Sequence, residues 1–260
     1  MNVEVETITP ELAKKYLANN KINRGLNKNS VAKYATSMQE GRWKLNGEPI
    51  QFNCDGTLIN GQHRLQACVR ADTSFDTLVA RGIPQDCFDT IDTGKVRSNG
   101  DVLYIKGEAN ATALGRVLTI VAHYASKSTK FASRFDNDVI WRLLDKFPST
   151  RDSVGKFAGK KPPFNDKFLI ALHFLANKKH PDEASVFFDG VLTGANLNEE
   201  SPALLLRQAM YEWIANKDRK RSQVFRFAVM IKAWNAFITE KPVKQLRFGE
   251  KMNEEFPRVM

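Results

Sequence analysis

Long apolar runs are absent from this chain of 260 residues. No stretch of ~18 consecutive apolar residues occurs, and a helix needs about that length to cross a bilayer. The first residues, Met-Asn-Val-Glu-Val-Glu, are acidic and no apolar segment follows them, so we expect no secretory signal peptide. These absences argue against an integral membrane protein and favour a cytoplasmic one.

Cysteine and histidine are also scarce. The three cysteines, Cys54, Cys68 and Cys87, form an odd set without a CxxC pair, which indicates reduced thiols in a cytosolic protein. The four histidines are scattered, and no cluster of cysteine and histidine has the spacing of a zinc site. His123 and His173 lie inside predicted helices, where we expect them in the core or on a helix flank and not as metal ligands.

Acidic residues are too few to balance the basic ones, and the formal net charge is +10. The excess is uneven: residues 1–107 contain 14 Lys and Arg against 12 Asp and Glu, whereas residues 108–260 contain 25 against 17. A positive surface attracts anionic partners, and nucleic acid is the first candidate. A surface that binds nucleic acid is therefore expected mainly in the C-terminal part, with a generic basic surface as the alternative.

The N-terminal part has the pattern of an α/β domain. Residues 3–8 alternate apolar and polar side chains, as a half-buried strand does. Thr9 and Pro10 then form a helix start, because Thr suits the N-cap position and Pro the first helical position. A second helix is predicted to be capped by Asn29 or Ser30.

A strand, a turn and a helix follow one another within residues 55–71. A short apolar strand over residues 57–59 comes after an Asp-Gly turn, and the chain then breaks at Gly61. The helix that follows has an apolar face, formed by Leu65, Cys68 and Val69. Further strands are predicted on either side of this stretch, over residues 48–52 and 75–80.

Residues 61–64, Gly-Gln-His-Arg, start this helix, and we call them the phosphate corner. A helix N-terminus presents unpaired N–H groups and the positive end of the helix dipole, which suit an anion. Gly61 lets a ligand approach the backbone, Arg64 adds a forked cation that suits phosphate, and Gln62 and His63 lie between them. We expect Arg64 at the surface. The pattern predicts phosphate binding, with a plain turn and solvated side chains as the alternative.

The sequence from Gly61 to Ala67, Gly-Gln-His-Arg-Leu-Gln-Ala, resembles the nucleotide-binding motif of the ParB and sulfiredoxin superfamily. ParB proteins have Gly-Glu-Arg-Arg-x-x-Ala at this point, which Gly61, Arg64 and Ala67 match. Sulfiredoxins have Gly-Cys-His-Arg, which Gly61, His63 and Arg64 match. The motif is also one residue from the Asp-Gly-Gln-His-Arg signature of regulators of DNA phosphorothioate modification.

The resemblance extends over residues 3–83 and implies a ParB/sulfiredoxin-like α/β domain that binds a nucleoside triphosphate. Arg24 falls where ParB proteins have a basic segment, and Glu48 begins a match to their Gln-Pro-Ile sequence, so both are expected near Arg64. Two positions differ from the family patterns. Gln62 replaces the nucleophilic cysteine of sulfiredoxins, which argues against their chemistry. His63 replaces the second arginine of ParB proteins, so ATP and CTP both stay open.

Residues 87–101 contain a second charged stretch with Asp89 and Asp92. This stretch is either a connector between two domains or a charged lid over the phosphate corner. As a lid it would place the two carboxylates where they hold Mg²⁺ on a bound nucleotide. Together with Glu48 they are the candidate catalytic carboxylates if the protein is an Mg²⁺-dependent nucleoside triphosphatase, a phosphotransferase or a nuclease.

From residue 108 onward the apolar residues follow helical spacing and predict about six helices. A basic run at residues 217–221 joins the last two predicted helices. Within it, Arg219, Lys220 and Arg221 are candidates for contact with a DNA backbone, because such clusters suit phosphates without reading bases. A solvated loop between helices is the alternative.

The sequence therefore predicts an α+β protein, with a ParB/sulfiredoxin-like α/β domain over residues 1–107 and an all-helical domain over residues 108–260 that binds DNA or a protein partner. The preferred function is that of a nucleotide-binding, DNA-associated ParB-like protein, of the kind found in phages and plasmids. The alternatives are a phosphotransferase or nuclease acting in DNA modification or degradation, and a non-catalytic DNA-binding regulator. A homodimer also stays open.

Overall fold

The computed structural model describes residues 1–21, 23, 25–84, 87, 97–195, 197–215, 222–249 and 254–260. Over these residues the protein is a mixed α+β protein with two compact units, Met1–Lys95 and Val96–Met260. The sequence places the division after residue 107. In the structure the helix Asn99–Ile105 packs on the helix Ala111–Ala125 and belongs to the second unit.

The first unit contains a four-stranded mixed sheet. Its strands are β1 (Asn2–Ile8), β2 (Ile50–Asn53), β3 (Leu58–Asn60) and β4 (Phe75–Ile83), and their order in the sheet is β1-β4-β2-β3. β4 pairs antiparallel with β1 and parallel with β2, while β2 and β3 form an antiparallel hairpin. The helices described in this unit are α1 (Pro10–Leu17), α2 (Lys28–Gln39) and α3 (Gln62–Ala71).

Local sequence signals explain where the first two helices begin. Thr9 caps α1 by accepting a hydrogen bond from a first-turn amide at 3.2 Å, and Pro10 occupies the first helical position. The prediction that Asn29 or Ser30 caps α2 is wrong, because Asn27 is its N-cap. The Asn27 side chain accepts hydrogen bonds from the amides of both of those residues, so they already belong to the first turn.

The sheet and α3 share one hydrophobic core. Fully buried side chains come from β1, β2, β3, α3 and β4: Ile8, Ile50, Leu58, Leu65 and Val79. The predicted apolar face of α3 packs against α1 and α2. Burial of this face stabilises the unit and determines where the first turn of α3 lies, directly after β3 and beside the start of β2.

The second unit is all-helical over the residues that the structure describes. Its helices are α4 (Asn99–Ile105), α5 (Ala111–Ala125), α6 (Asn137–Lys146), α7 (Thr150–Phe157), α8 (Lys167–Asn177), α9 (Pro181–Thr193), α10 (Pro202–Ala215) and α11 (Gln223–Ile238). About six helices are predicted for residues 108–260, and the described part of this range contains seven, because α7 is only 8 residues long and shows too few turns of an apolar repeat.

Aromatic side chains dominate the core of the second unit. Phe187, Phe227 and Trp234 are fully buried, and many ring pairs lie at edge-to-face angles that favour packing. His123 and His173 are also buried, as expected of core residues. Among the described helices, none combines the length and the apolar character that crossing a membrane requires.

Candidate phosphate-binding site

Gly61 links β3 to α3 in a backbone conformation that suits only glycine. Its φ is +103°, and an added Cβ atom would lie 2.9 Å from Cγ1 and 3.3 Å from Cα of Ile50. Both the left-handed φ and the nearby backbone of β2 therefore require a residue without a side chain. Gly61 is also the N-cap residue of α3, so the helix begins without a capping oxygen of its own. A ligand anion can take the place of that oxygen.

Asparagine side chains from the segment after α1 reach the start of α3. The Asn20 Nδ2 group donates to Oε1 of the buried Gln62 at 3.0 Å. The Asn23 Nδ2 group donates to Asn20 Oδ1 and to the carbonyl oxygen of Leu58, each at 2.7 Å. This chain of hydrogen bonds ties the segment after α1 to β3 and to the phosphate corner.

His63 connects the start of α3 to the start of α2. Its Nε2 atom accepts a hydrogen bond from the backbone N–H of Asn27 at 2.9 Å. An imidazole that accepts at Nε2 is neutral and carries its proton on Nδ1. Because Asn27 is the N-cap of α2, this bond keeps the N-termini of α2 and α3 close together. The positive ends of two helix dipoles therefore contribute to the same region.

Arg64 is buried, so the expectation that it lies at the surface is wrong. Only 9% of the residue is exposed. Its Nη1 donates to the carbonyl oxygen of Glu48, and its Nη2 donates to that of Pro49 at 2.7 Å. The guanidinium group thus holds the chain just before β2 against the first turn of α3. Its positive charge still lies in the turn where the helix dipole is positive.

Replacing Arg64 with alanine is expected to lower the free energy of unfolding by about 1.5–3 kcal/mol, because two backbone carbonyls lose a charged donor. Arg64→Lys should recover only part of this, since an ammonium group keeps the charge but lacks the fork that reaches both carbonyls. Arg70→Ala is the matched control, because Arg70 is exposed in the last turn of the same helix. Urea unfolding measures all three. Equal stability of the Arg64→Ala and Arg70→Ala proteins would contradict the structural role of Arg64.

The remaining predicted site residues divide into two groups. The Glu48 side chain is exposed, and this residue contributes to the site through its backbone, whose carbonyl oxygen accepts from Arg64. Six predicted residues lie outside the described part of the chain: Arg24, Asp89, Asp92, Arg219, Lys220 and Arg221. Among the described residues, no group of three or more His, Cys, Asp or Glu is placed to hold a metal ion. The structure thus brings together the phosphate corner and the backbone of Glu48.

A cavity of about 340 Å³ near the C-terminal end of β2 is a feature that the sequence does not predict. Lys15, Tyr16, Phe52 and Arg81 contribute to its wall. The guanidinium carbon of Arg81 lies 5.6 Å from the centroid of the Tyr16 ring and 5.7 Å from that of Phe52. The sequence feature that could have indicated this cavity is Arg81, a charged residue directly after an apolar strand pattern. The phosphate corner lies near the other end of β2, so the two features are separate.

The wall of this cavity is fixed by a half-buried polar network. The Tyr16 hydroxyl donates to Glu6 Oε2 at 2.6 Å and accepts from Arg81 Nη2 at 2.6 Å, and Arg81 also forms an ion pair with Glu6. Burial and the neighbouring Glu6 carboxylate raise the pKa of Tyr16 to about 12. Burial works against ionisation of Glu6, but hydrogen bonds from Arg81 and Tyr16 prevail and lower its pKa. The network therefore consists of a neutral phenol between two charged groups.

No family model, no curated protein and no solved structure matches this chain. The resemblance of the phosphate corner to the ParB and sulfiredoxin motif therefore stays a prediction. The chemistry open to the site follows from the residues and hydrogen bonds of this chain alone.

Proposed function

We propose that the protein is a nucleotide-binding, DNA-associated protein of the ParB-like kind. In this proposal the first unit binds the phosphates of ATP or CTP at the phosphate corner, and the second unit binds DNA. The observation that carries the proposal is the convergence of two helix N-termini, those of α2 and α3, at a turn whose N-cap is a glycine.

The surroundings of Gly61 support a phosphate ligand in particular. A side chain at this position would collide with Ile50, so glycine is required for α3 to begin this close to β2. The positive charge of Arg64 belongs to the same turn. Anions are stabilised where helix dipoles and a cation combine, and nucleotide phosphates are the most common anions of this kind.

The order of elements in the first unit also supports the proposal. It runs strand, helix, helix, hairpin, helix, strand, from β1 to β4. This is the order that the resemblance to the ParB and sulfiredoxin superfamily implies. The proposal is thus supported by the order of seven elements as well as by the short motif at residues 61–67.

The support for DNA as a partner is electrostatic. Residues 108–260 carry an excess of eight positive charges, from 25 Lys and Arg against 17 Asp and Glu. Duplex DNA binds such surfaces through its phosphates, with an affinity that falls steeply as salt rises. The run of Arg219, Lys220 and Arg221 is the densest basic stretch of this part of the sequence.

Calorimetric titration of the full chain with ATP, CTP and GTP, with and without Mg²⁺, tests the first half of the proposal. We expect ATP or CTP to bind. Arg24→Ala should then raise the Kd by about 10–150-fold, the loss expected for one charge-assisted hydrogen bond. Asn23 and Asn27, on either side of Arg24, both form hydrogen bonds to the β3–α3 region, which motivates this choice.

Arg70→Ala is the control for this titration, because it removes the same charge from the opposite end of α3. Its Kd should equal that of the parent protein. A folded parent protein that binds none of the three nucleotides would contradict the proposal. Equal weakening by both substitutions would show that only net charge matters and that the phosphate corner is not the site.

Duplex binding at several salt concentrations tests the second half. Replacing Arg219, Lys220 and Arg221 with alanine should weaken binding with little regard to DNA sequence. For each DNA phosphate that the variant no longer neutralises, the slope of log K against log salt should flatten by about 0.9. If the slope of log K against log salt is unchanged, the basic run does not contact DNA and is a solvated loop.

A further inference from the structure

A cavity of about 310 Å³ lies within the second unit, between α5, α8, α10 and α11. It is as large as the smaller pockets that hold drug-sized ligands in proteins. Three cationic side chains line it: Arg116 from α5, Lys167 from the start of α8 and Arg226 from α11. Asp166 is the one carboxylate among the lining residues, so the ionisable side chains leave an excess of positive charge.

The other lining side chains are largely apolar and come from the helices that enclose the cavity. Val117, Ile170, Met210 and Trp213 are all buried. The guanidinium carbon of Arg226 lies 5.7 Å from the centroid of the Trp213 ring, so the cationic and aromatic parts of the lining are adjacent. A ligand that fits must therefore combine a negative group with an apolar body.

Trp213 contributes its ring to the wall of the cavity. The residue is 7% exposed, and its indole nitrogen is fully buried, with no hydrogen-bond partner among the described residues. Because that nitrogen has no accessible surface, a ligand in the cavity contacts the ring of Trp213 and not its N–H group.

We propose that this cavity binds a small aromatic anion, whose negative group contacts Arg116, Lys167 and Arg226 and whose ring lies against the Trp213 side of the cavity. The ligand chemistry is shared by aromatic phosphate esters and aromatic carboxylates. The volume admits one small molecule and excludes a DNA duplex. The proposal does not depend on nucleotide binding by the first unit.

The electrostatics of the cavity agree with an anionic ligand. Burial lowers the pKa of Lys167, the charge of Asp166 opposes this shift, and the positive charge of Arg116 adds to it. Burial raises the pKa of Asp166, although the amides of Phe168 and Leu169 favour its charged form. Asp166 therefore caps α8, and the charges of Lys167 and Arg226 also lower its pKa, so it supplies one negative charge beside the cations that line the cavity. An added negative charge relieves the repulsion between Arg116 and Lys167.

Indole N–H signals in a ¹H–¹⁵N correlation spectrum of the full chain provide the test. The chain contains four tryptophans, and the signal missing from Trp213→Phe identifies Trp213. Phenyl phosphate, benzoate and inorganic phosphate are titrated separately. We expect phenyl phosphate or benzoate to shift the Trp213 indole signal, because an aromatic ring bound beside the indole changes its shielding, with a Kd on the order of 1 mM or lower, as for other ligands of this size. Binding of only one of them identifies the ligand as a phosphate ester or a carboxylate.

Three variants complete the experiment. Arg116→Ala, at an exposed position, should raise the Kd about 10-fold. Trp213→Leu, which removes the aromatic ring from the cavity wall, should raise it about 5-fold by calorimetry. Arg142→Ala, an exposed arginine on α6 outside the cavity, should leave the Kd unchanged. A thermal melt confirms that each variant folds. The proposal is overturned if neither aromatic anion shifts the Trp213 signal, if inorganic phosphate binds as tightly, or if Arg142→Ala weakens binding as much as Arg116→Ala.

Discussion

Gly61→Ala is expected to lower the free energy of unfolding by about 2–5 kcal/mol. About 1–2 kcal/mol comes from forcing an L-residue into the left-handed region, where Gly61 has a φ of +103°. About 1–3 kcal/mol more comes from overpacking, because the new Cβ would lie 2.9 Å from Ile50 Cγ1 and 3.3 Å from Ile50 Cα. The side chain of Ile50 is fully buried and its backbone belongs to β2, so neither can move away easily.

Gly41→Ala separates these two contributions. Gly41 has a φ of +64°, and nothing lies within 4 Å of the position that a Cβ would occupy. Its substitution should therefore cost only the conformational part, about 1–2 kcal/mol. Urea unfolding of both variants gives the difference, which measures the clash with Ile50. If Gly61→Ala lowers the free energy of unfolding by no more than Gly41→Ala does, then Gly61 does not lie as close to Ile50 as the structure shows.

Acid is expected to remove about 3 kcal/mol of stability as the pH falls from about 6.5 to about 4, through His173 alone. His173 is 6% exposed, its Nδ1 lies 2.9 Å from Ser153 Oγ, and the rings of Phe157 and Phe188 pack against it. Burial, helped by the positive charge of Lys156 and opposed by Asp189, lowers its pKa to about 4.

The direction follows from proton binding in the two states. Between about pH 4 and pH 6.5 the unfolded chain binds a proton at His173 and the folded chain does not. Stability is therefore fully present above about pH 6.5 and is lost as the pH falls toward 4. Below that pH the folded state also binds the proton, and this contribution changes no further.

His173→Gln isolates the effect from other titrating groups. The variant will be less stable at every pH, because the imidazole no longer packs between the two phenyl rings, so the comparison uses only the pH dependence. Free energies of unfolding from urea titrations between pH 4 and pH 7.5 should rise more steeply for the parent protein than for His173→Gln. Parallel curves would show that His173 titrates normally and is not enclosed as the structure has it.

Short-range patterns predicted the elements of the first unit well. The alternation in residues 3–8 predicted β1, and the Thr-Pro pair predicted the start of α1. The break at Gly61 predicted the start of α3, because a left-handed glycine after an apolar strand is a local requirement of the backbone. The N-cap of α2 was predicted wrongly, because several neighbouring polar residues suit that position and the sequence alone does not rank them.

The environment of Arg64 could not be predicted in the same way. Its partners are the backbone carbonyls of Glu48 and Pro49, which lie 16 and 15 residues away in the chain. An arginine at a helix start is usually solvated, and only the pairing of β2 with β3 and β4 brings this backbone beside it. The cavity with Trp213 has the same origin, since its lining comes from four helices spread over more than 100 residues.

The sequence by itself determined the α+β class, the strand-glycine-helix turn at Gly61, the placement of His123 and His173 inside helices, and the basic character of the C-terminal part. These depend on residue type, spacing and composition, which act over a few residues or over the whole chain. The tertiary structure alone decided that Arg64 is buried, that the N-termini of α2 and α3 meet, and that a cationic cavity forms around Trp213. These depend on which distant segments pack together, and that choice is made by the burial of the whole core rather than by any local pattern.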